Sequence, residues 1–287
     1  MLEDWYRKNY MKLLFIPLIV FIISIVIIGA HYNTHGDFIN KDVNLAGGTS
    51  ITIETKQVIN LEELELLLNT KLEQVSVRLL TNPTTKTQQG LIVDTSETDT
   101  DKILLILSEF ILFETKDVSM ESTGSSLGES FYKDLVLTLG IAFILMAIAV
   151  FISFRTAVPS LAVILAAIMD IVITVAVLDV FGFRIAAGGI VALLLVIGYS
   201  IDTDVLLTTK MLKQGEGSSF ERIKAAAKTG LTMTITALIA LTVAFFVSFN
   251  PLLRQMFLII IIALIIDIFV TYGTNAAILY RYVEKKR

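Results

Sequence analysis

The chain has 287 residues, of which 55% are hydrophobic and only 17% charged, and its formal net charge is −4. So large an apolar share excludes a soluble domain of this length and makes the class a polytopic membrane protein. With no cysteine, a disulfide framework and any Cys-based metal or redox site are excluded as well.

Six runs meet or approach the ~20 residues that a helix needs to cross ~30 Å of hydrocarbon. They are residues 13–30, 135–154, 157–178, 185–207, 231–249 and 252–280. The first lacks a small-residue cleavage site and reads as an anchor that stays in place. The chain divides into three parts: residues 1–30 as N-terminus and first helix, a polar domain over 31–133, and a five-helix bundle over 134–287 with a basic loop at 208–230. Lysine and arginine set the orientation. With the N-terminus inside, Arg7, Lys8, Lys12, Arg155, Lys210, Lys213, Arg222, Lys224, Lys228, Arg281, Lys285, Lys286 and Arg287 are cytoplasmic. The short outer loops then hold only Arg184 and Arg254. Both termini are therefore expected in the cytoplasm, and the polar domain outside.

That domain reads as α+β. Residues 49–54 alternate like a strand, and 61–73 have helical periodicity. Strand patterns at 75–81 and 90–95 flank the turn Asn82-Pro83-Thr84-Thr85. A second amphipathic helix over 100–113 and a strand over 117–122 complete a βαββαβ order, which predicts a ferredoxin-like layer. Gly47-Gly48-Thr49 reads as a tight turn into the first strand and forms no phosphate-binding loop. His31 and His35 sit in a polar, turn-prone segment, so no metal site is expected there. No cofactor, enzyme activity or nucleic-acid partner is expected. In the basic loop, Ser218 and Glu221 have capping-box spacing, which predicts a short helix along the inner membrane face.

Four carboxylates lie in or near spans: Asp170, Asp202, Asp204 and Asp267. No Lys or Arg sits deep in a span to neutralise them. An ionisable group in a span marks function by default. Asp202 and Asp204 close the stretch Ile197-Gly198-Tyr199-Ser200-Ile201, and Asp202 is ~25 Å from the outer end of its helix at ~1.5 Å per residue. Hydration from the cytoplasm competes with burial there, and more so at Asp204. Helical spacing sets Thr174 one turn from Asp170, and Thr271, Thr274 and Asn275 on the Asp267 face. Ser200 is on the fourth helix, and Thr229, Thr232 and Thr236 form a stripe on the fifth. Two readings stay open: an ion path, or interhelical glue worth only ~0.6 kcal/mol per bond on average.

Several stretches together resemble the SecF proteins of the SecD/SecF protein-export family, in the resistance–nodulation–division superfamily. They are Leu45-Ala46-Gly47-Gly48-Thr49, Gly124-Ser125-Ser126-Leu127-Gly128, Phe151-Ile152-Ser153-Phe154-Arg155, Ile168-Met169-Asp170 and Phe269-Val270-Thr271-Tyr272-Gly273-Thr274. The most specific is Val196-Ile197-Gly198-Tyr199-Ser200-Ile201-Asp202. Bacterial members usually read Asn-Asp-Thr where this chain has Asp202-Thr203-Asp204, which suggests the archaeal branch. The arginine that bacterial members carry in the fifth helix is absent from Thr232-Met233-Thr234-Ile235-Thr236.

The resemblance implies an accessory subunit of the Sec machinery in the cell membrane, driven by an ion gradient. On that basis Asp202 is the protonatable centre, Asp204 assists it, and Asp170 and Asp267 line or brace the path. Ser200, Thr232, Thr236, Thr271 and Asn275 are supporting polar groups, and Gly124 and Gly128 a hinge for the outer domain. Implied partners are a SecD-like subunit, the Sec channel, an unfolded preprotein and membrane lipid. A lipid or small-molecule exporter of the same superfamily, or a purely structural subunit of the export complex, are the alternatives.

Overall fold

Among the described residues, six helices of the computed structural model are long and apolar enough to cross a membrane. The structure describes residues 2–55, 57, 60–72, 75–81, 87–213, 217–248 and 250–286. In chain order, helix α1 (Leu2–His35) and a single turn α2 (Val43–Ala46) precede β1 (Gly48–Glu54), α3 (Leu61–Leu68) and β2 (Ser76–Thr81). Then come β3 (Gln88–Thr95), α4 (Thr100–Ser108), β4 (Val118–Thr123) and α5 (Ser125–Phe154). The remaining spans are α6 (Ala157–Val180), α7 (Ala187–Leu212), α8 (Ser219–Val247) and α9 (Pro251–Val270). A π-helical turn, Thr271–Asn275, joins α9 to α10 (Ala276–Lys286).

The chain forms two units: Met1–Asn40 with Leu137–Arg287, and Lys41–Val136. The first boundary falls after Asn40, well past residue 30, because α1 carries on as helix through the polar end of its run to His35. The segment expected to be turn-prone around His31 is thus helical. His31 Nδ1 lies 2.8 Å from Asp179 Oδ1, and both side chains are buried. Asn40 Nδ2 donates to the same carboxylate oxygen at 3.1 Å, and the Asn40 carbonyl accepts from the Ile185 N–H at 2.6 Å. The last residue of the membrane unit's first segment is therefore tied to α6 and to the chain just before α7.

The second unit is an antiparallel sheet in the order β2-β3-β1-β4, which with α3 and α4 is the ferredoxin-like βαββαβ arrangement. Ile51 pairs with Val93 and Met120, and Val77 with Val93. The alternation of strand residues puts Ile51, Ile53, Val77, Leu91 and Val93 in one core with Leu68 and Leu107 of the helices. Both helices stop earlier than their apolar pattern. Thr70 Oγ1 donates to the Leu67 carbonyl at 2.6 Å, and Ser108 Oγ to the Leu105 carbonyl at 2.7 Å, so short hydroxyl side chains take over helix acceptors. The turn expected at 82–85 lies outside the described residues.

Three expectations change. The segment Gly124–Gly128 is the first turn of α5 rather than an open joint, with the Gly124 carbonyl accepting from the Leu127 and Gly128 N–H groups. A Cβ on Gly128 would come within 2.9 Å of the Gly47 nitrogen, so Gly128 serves close packing. The basic loop shrinks, because α7 runs on to Leu212 and α8 begins at Ser219. The capping box at Ser218 and Glu221 is formed, but it opens a 29-residue helix that enters the bundle. Gly230 lies inside that helix, and it stays helical.

Gly48 has φ of 127°, and a Cβ there would stand 2.2 Å from the Thr95 carbonyl oxygen. Gly48→Ala is expected to destabilise the α+β unit by more than ~1 kcal/mol. Limited proteolysis of the whole chain in detergent reads this as faster cleavage within residues 41–136. Leu66→Ala, at a position 72% exposed, should leave the rate near wild type, within ~0.5 kcal/mol.

Candidate functional site: a buried carboxyl cluster in the bundle

Asp170 of α6, Asp204 of α7 and Asp267 of α9 are all buried, at 1%, 0% and 1% exposure. The first is set among close-packed small residues, Ala166 and Ala167 one turn before it, which let α6 approach its neighbours. Hydroxyls and an amide tie the three together. Ser200 Oγ donates to Asp170 Oδ2 at 2.5 Å. Thr271 Oγ1 lies 2.9 Å from Asp204 Oδ1 and 3.1 Å from Asp267 Oδ1. Asn275 Nδ2 donates to Asp204 Oδ1 at 2.6 Å. Thr203 Oγ1 stands 2.8 Å from the Ser200 carbonyl and 3.1 Å from Asp267 Oδ2.

The π-helical turn makes this convergence. Its Ala276 N–H bonds back to the Thr271 carbonyl, five residues earlier, so one extra residue is accommodated in the turn. Thr271 and Asn275 then both reach Asp204. Between them Tyr272 lays its hydroxyl where a Cβ on Gly230 of α8 would be, 2.2 Å away. Gly273 packs on α1, and a Cβ on it would meet Pro17 Cγ at 2.7 Å and the Leu13 carbonyl oxygen at 3.2 Å. That carbonyl is the one a proline at 17 deprives of its helical donor.

Hydrogen bookkeeping limits what the cluster can be. A threonine hydroxyl carries one hydrogen. Thr271 therefore donates to Asp204 or to Asp267, but not to both at once. Thr203 faces the same choice between the Ser200 carbonyl and Asp267. The contacts close only when a carboxyl of the cluster carries a proton. Among the described residues no Lys or Arg hydrogen-bonds any of the three, and Asp170 Oδ1 and Asp204 Oδ2 are buried without a hydrogen-bond partner. Each is an oxygen at which a proton can be taken up. Among the described residues no group of three or more His, Cys, Asp or Glu is placed to hold a metal ion.

Asp202 does not join the cluster, which corrects the expectation that it is the centre. Two residues along an α-helix turn the side chain by ~200°, so Asp202 and Asp204 point to opposite sides of α7. Asp204 is fully buried against α9 and the π-helical turn, while Asp202 is exposed on the chain's surface. Distance along the helix axis suggested that Asp204 would be the wetter of the two. Azimuth decides the reverse. Thr232 and Thr236 are exposed on α8, their hydroxyls bonded to the Lys228 and Thr232 carbonyls. Thr174 is buried beside Asp170 but its hydroxyl has no partner. Thr203 is a cluster member that the sequence pattern alone does not single out. Its signal is there nonetheless, one turn from Ser200 on the same apolar face as Val196 and Leu207.

Asn275→Ala removes a donor to Asp204 and is expected to cost ~1–3 kcal/mol, the penalty for a buried polar group left short of a partner. Thermal unfolding of the purified chain in detergent measures it as a lower Tm. Asp202→Asn, on the exposed face, should move the same Tm by no more than ~0.5 kcal/mol equivalent.

Residues 106–285 match the family described as protein export membrane protein SecD/SecF, C-terminal. The chain is 34% identical to the protein-export membrane protein SecF of Methanocaldococcus jannaschii, over 98% of each chain. It is 32% identical to SecF of Pyrococcus furiosus, covering 96% of this chain and 92% of that one. Its fold is similar to that of the crystal structure of SecDF, a translocon-associated membrane protein from Thermus thermophilus, with a TM-score of 0.76 at 17% identity. The likeness covers 98% of this chain but only 38% of the SecDF chain. A super-membrane-facing form of SecDF gives a TM-score of 0.57. The chain therefore belongs to the SecD/SecF family of protein-export membrane proteins.

Proposed function

We propose that the chain is an accessory subunit of the Sec translocation machinery, not an enzyme, which works with a SecD-like partner to promote protein export across the cell membrane. Export is coupled to a proton gradient through Asp204, Asp267 and Asp170, with Ser200, Thr203, Thr271 and Asn275 as their hydrogen-bond partners. Both termini lie in the cytoplasm, as the distribution of Lys and Arg favours. The α+β domain then faces outward, where it meets the preprotein as it emerges from the Sec channel. What carries the coupling is the hydrogen shortage in the cluster. Three carboxyls from three helices share too few hydrogens, so gaining or losing one proton rearranges contacts among α6, α7 and α9. Proton movement thereby becomes helix movement.

That no basic residue among the described ones hydrogen-bonds the cluster supports a second reading, in which the carboxyls are permanently protonated and only hold the helices together. Export of a secreted reporter, measured with and without an uncoupler, separates the two. Asp204→Asn and Asp267→Asn are expected to bring export down to its uncoupled level while the partner still co-purifies. Thr232→Val should leave the uncoupler-sensitive part intact. Full uncoupler-sensitive export in both Asn variants, with assembly unchanged, would establish the purely structural role.

A further inference from the structure

Threonine hydroxyls in the membrane helices of this chain take one of two courses. On α8 those of Thr229, Thr232, Thr234 and Thr236 each donate to the carbonyl four residues earlier, where a helical threonine commonly bonds. Thr208 of α7 does not. It is 0% exposed, yet its hydroxyl oxygen has no hydrogen-bond partner in the fold. Thr208 follows Asp204 by four residues, so the two share a face of α7, one turn or ~6 Å apart along the axis. Asp204 Oδ2 is likewise buried and unpartnered, and so is Oδ1 of Asn275, whose Nδ2 holds the other oxygen of that carboxyl.

Such atoms are unevenly placed. Among the described residues of the membrane unit, six hydroxyls are buried without a partner: Tyr6, Thr156, Ser160, Thr174, Thr208 and Thr274. Only Thr174 lies beyond the carboxyls toward the end of α6 at Val180. The other five lie toward the opposite end, where α6 starts at Ala157 and α7 finishes at Leu212. Tyr6 belongs to the buried group that contains Leu207 and Met211, which flank Thr208 on α7. In the other direction the core is apolar. Leu178, Leu193, Ile259 and Ile260 are buried there, ~10–16 Å beyond the carboxyl of their own helix. Convergent buried polar groups hold internal water, whereas an apolar layer stays dry.

We propose that Thr208 is a positioning residue for the proton site: with Asp204 Oδ2 and Asn275 Oδ1 it holds a water molecule through which a proton passes between Asp204 and the cytoplasmic end of the bundle. The inference rests on the proton coupling and the orientation proposed above, and adds the side from which the site is reached and the residue that makes it reachable. The water takes the proton that Asp204 releases and gives up one of its own toward the cytoplasm, so only O–H bonds change. Thr208 orients that water with its one hydrogen and two acceptor positions. A valine has a similar shape and offers neither.

Export of a secreted reporter with and without an uncoupler, read beside the Tm of the purified chain in detergent, tests this role. Thr208→Val is expected to cut the uncoupler-sensitive part of export at least threefold. Uncoupler-insensitive export and recovery of the partner should not change, and the Tm should stay within ~2 °C of wild type, because the hydroxyl removed bonds nothing in the fold. Thr208→Ser, which keeps the hydroxyl, should retain at least two thirds of the uncoupler-sensitive part. Thr242→Val makes the same change at an exposed position of α8 and should match wild type. Full uncoupler-sensitive export in Thr208→Val would overturn the inference. An equal loss in Thr208→Ser, or a loss that comes with a lower Tm, would overturn it too, since either marks a packing role. If Asp204→Asn also keeps full uncoupler-sensitive export, the proposed function falls as well. Loss in Asp204→Asn with none in Thr208→Val removes only the water site.

Discussion

Three carboxyls buried in one membrane bundle must be satisfied without a cation, and the arrangement of the helices follows from that requirement. Oxygen and amide donors from α7 and the π-helical turn meet it in part, through Ser200, Thr203, Thr271 and Asn275. Placing those donors brings α6, α7 and α9 close enough to share hydrogens. Small residues on α6 and α7 make that closeness sterically feasible, and Gly188 and Gly189 of α7 leave no room for side chains against α9. In a membrane, where apolar surface gives little drive for helix association, such polar contacts and close packing are what remain.

The π-helical turn links this cluster to the rest of the bundle. Successive residues serve different helices: Thr271 and Asn275 serve Asp204, Tyr272 meets Gly230 of α8, and Gly273 meets α1 at Pro17. A one-residue expansion within a helix is strained relative to an α-helix and is a short structural step away from it. Any rearrangement of hydrogens at Asp204 acts on this turn first, and through it on α1 and α8. The turn thereby ties Asp204 to α1 and α8 through direct contacts.

Much of the architecture was legible from the residues. Six apolar runs, the period-two pattern of Ile51, Ile53, Leu91 and Val93, and the capping box at Ser218 each state a local preference that the fold keeps. Element ends were less legible. Ser108 and Thr70 stop helices that their apolar pattern would continue, because a hydroxyl competing for a carbonyl weighs little in a periodicity. The expected inner-face helix fails for the opposite reason. Its cap is genuine, but the residues after the cap contain no breaker, so the helix merges with the fifth span.

The list of intramembrane carboxyls follows from the sequence alone, since an Asp in an apolar run is visible without coordinates, and so does the family motif around Gly198 and Ser200. Which carboxyls are buried together among hydrogen-bond donors was decided only by tertiary structure. Asp202 and Asp204 are two residues apart and chemically identical, and their depths differ by only ~3 Å at 1.5 Å per residue. Their fates differ because one faces Thr271 and Asn275, some seventy positions later in the chain, and the other faces away. Azimuth about a helix has meaning only once its neighbours are known. A linear pattern supplies the helix; its neighbours are supplied by the fold.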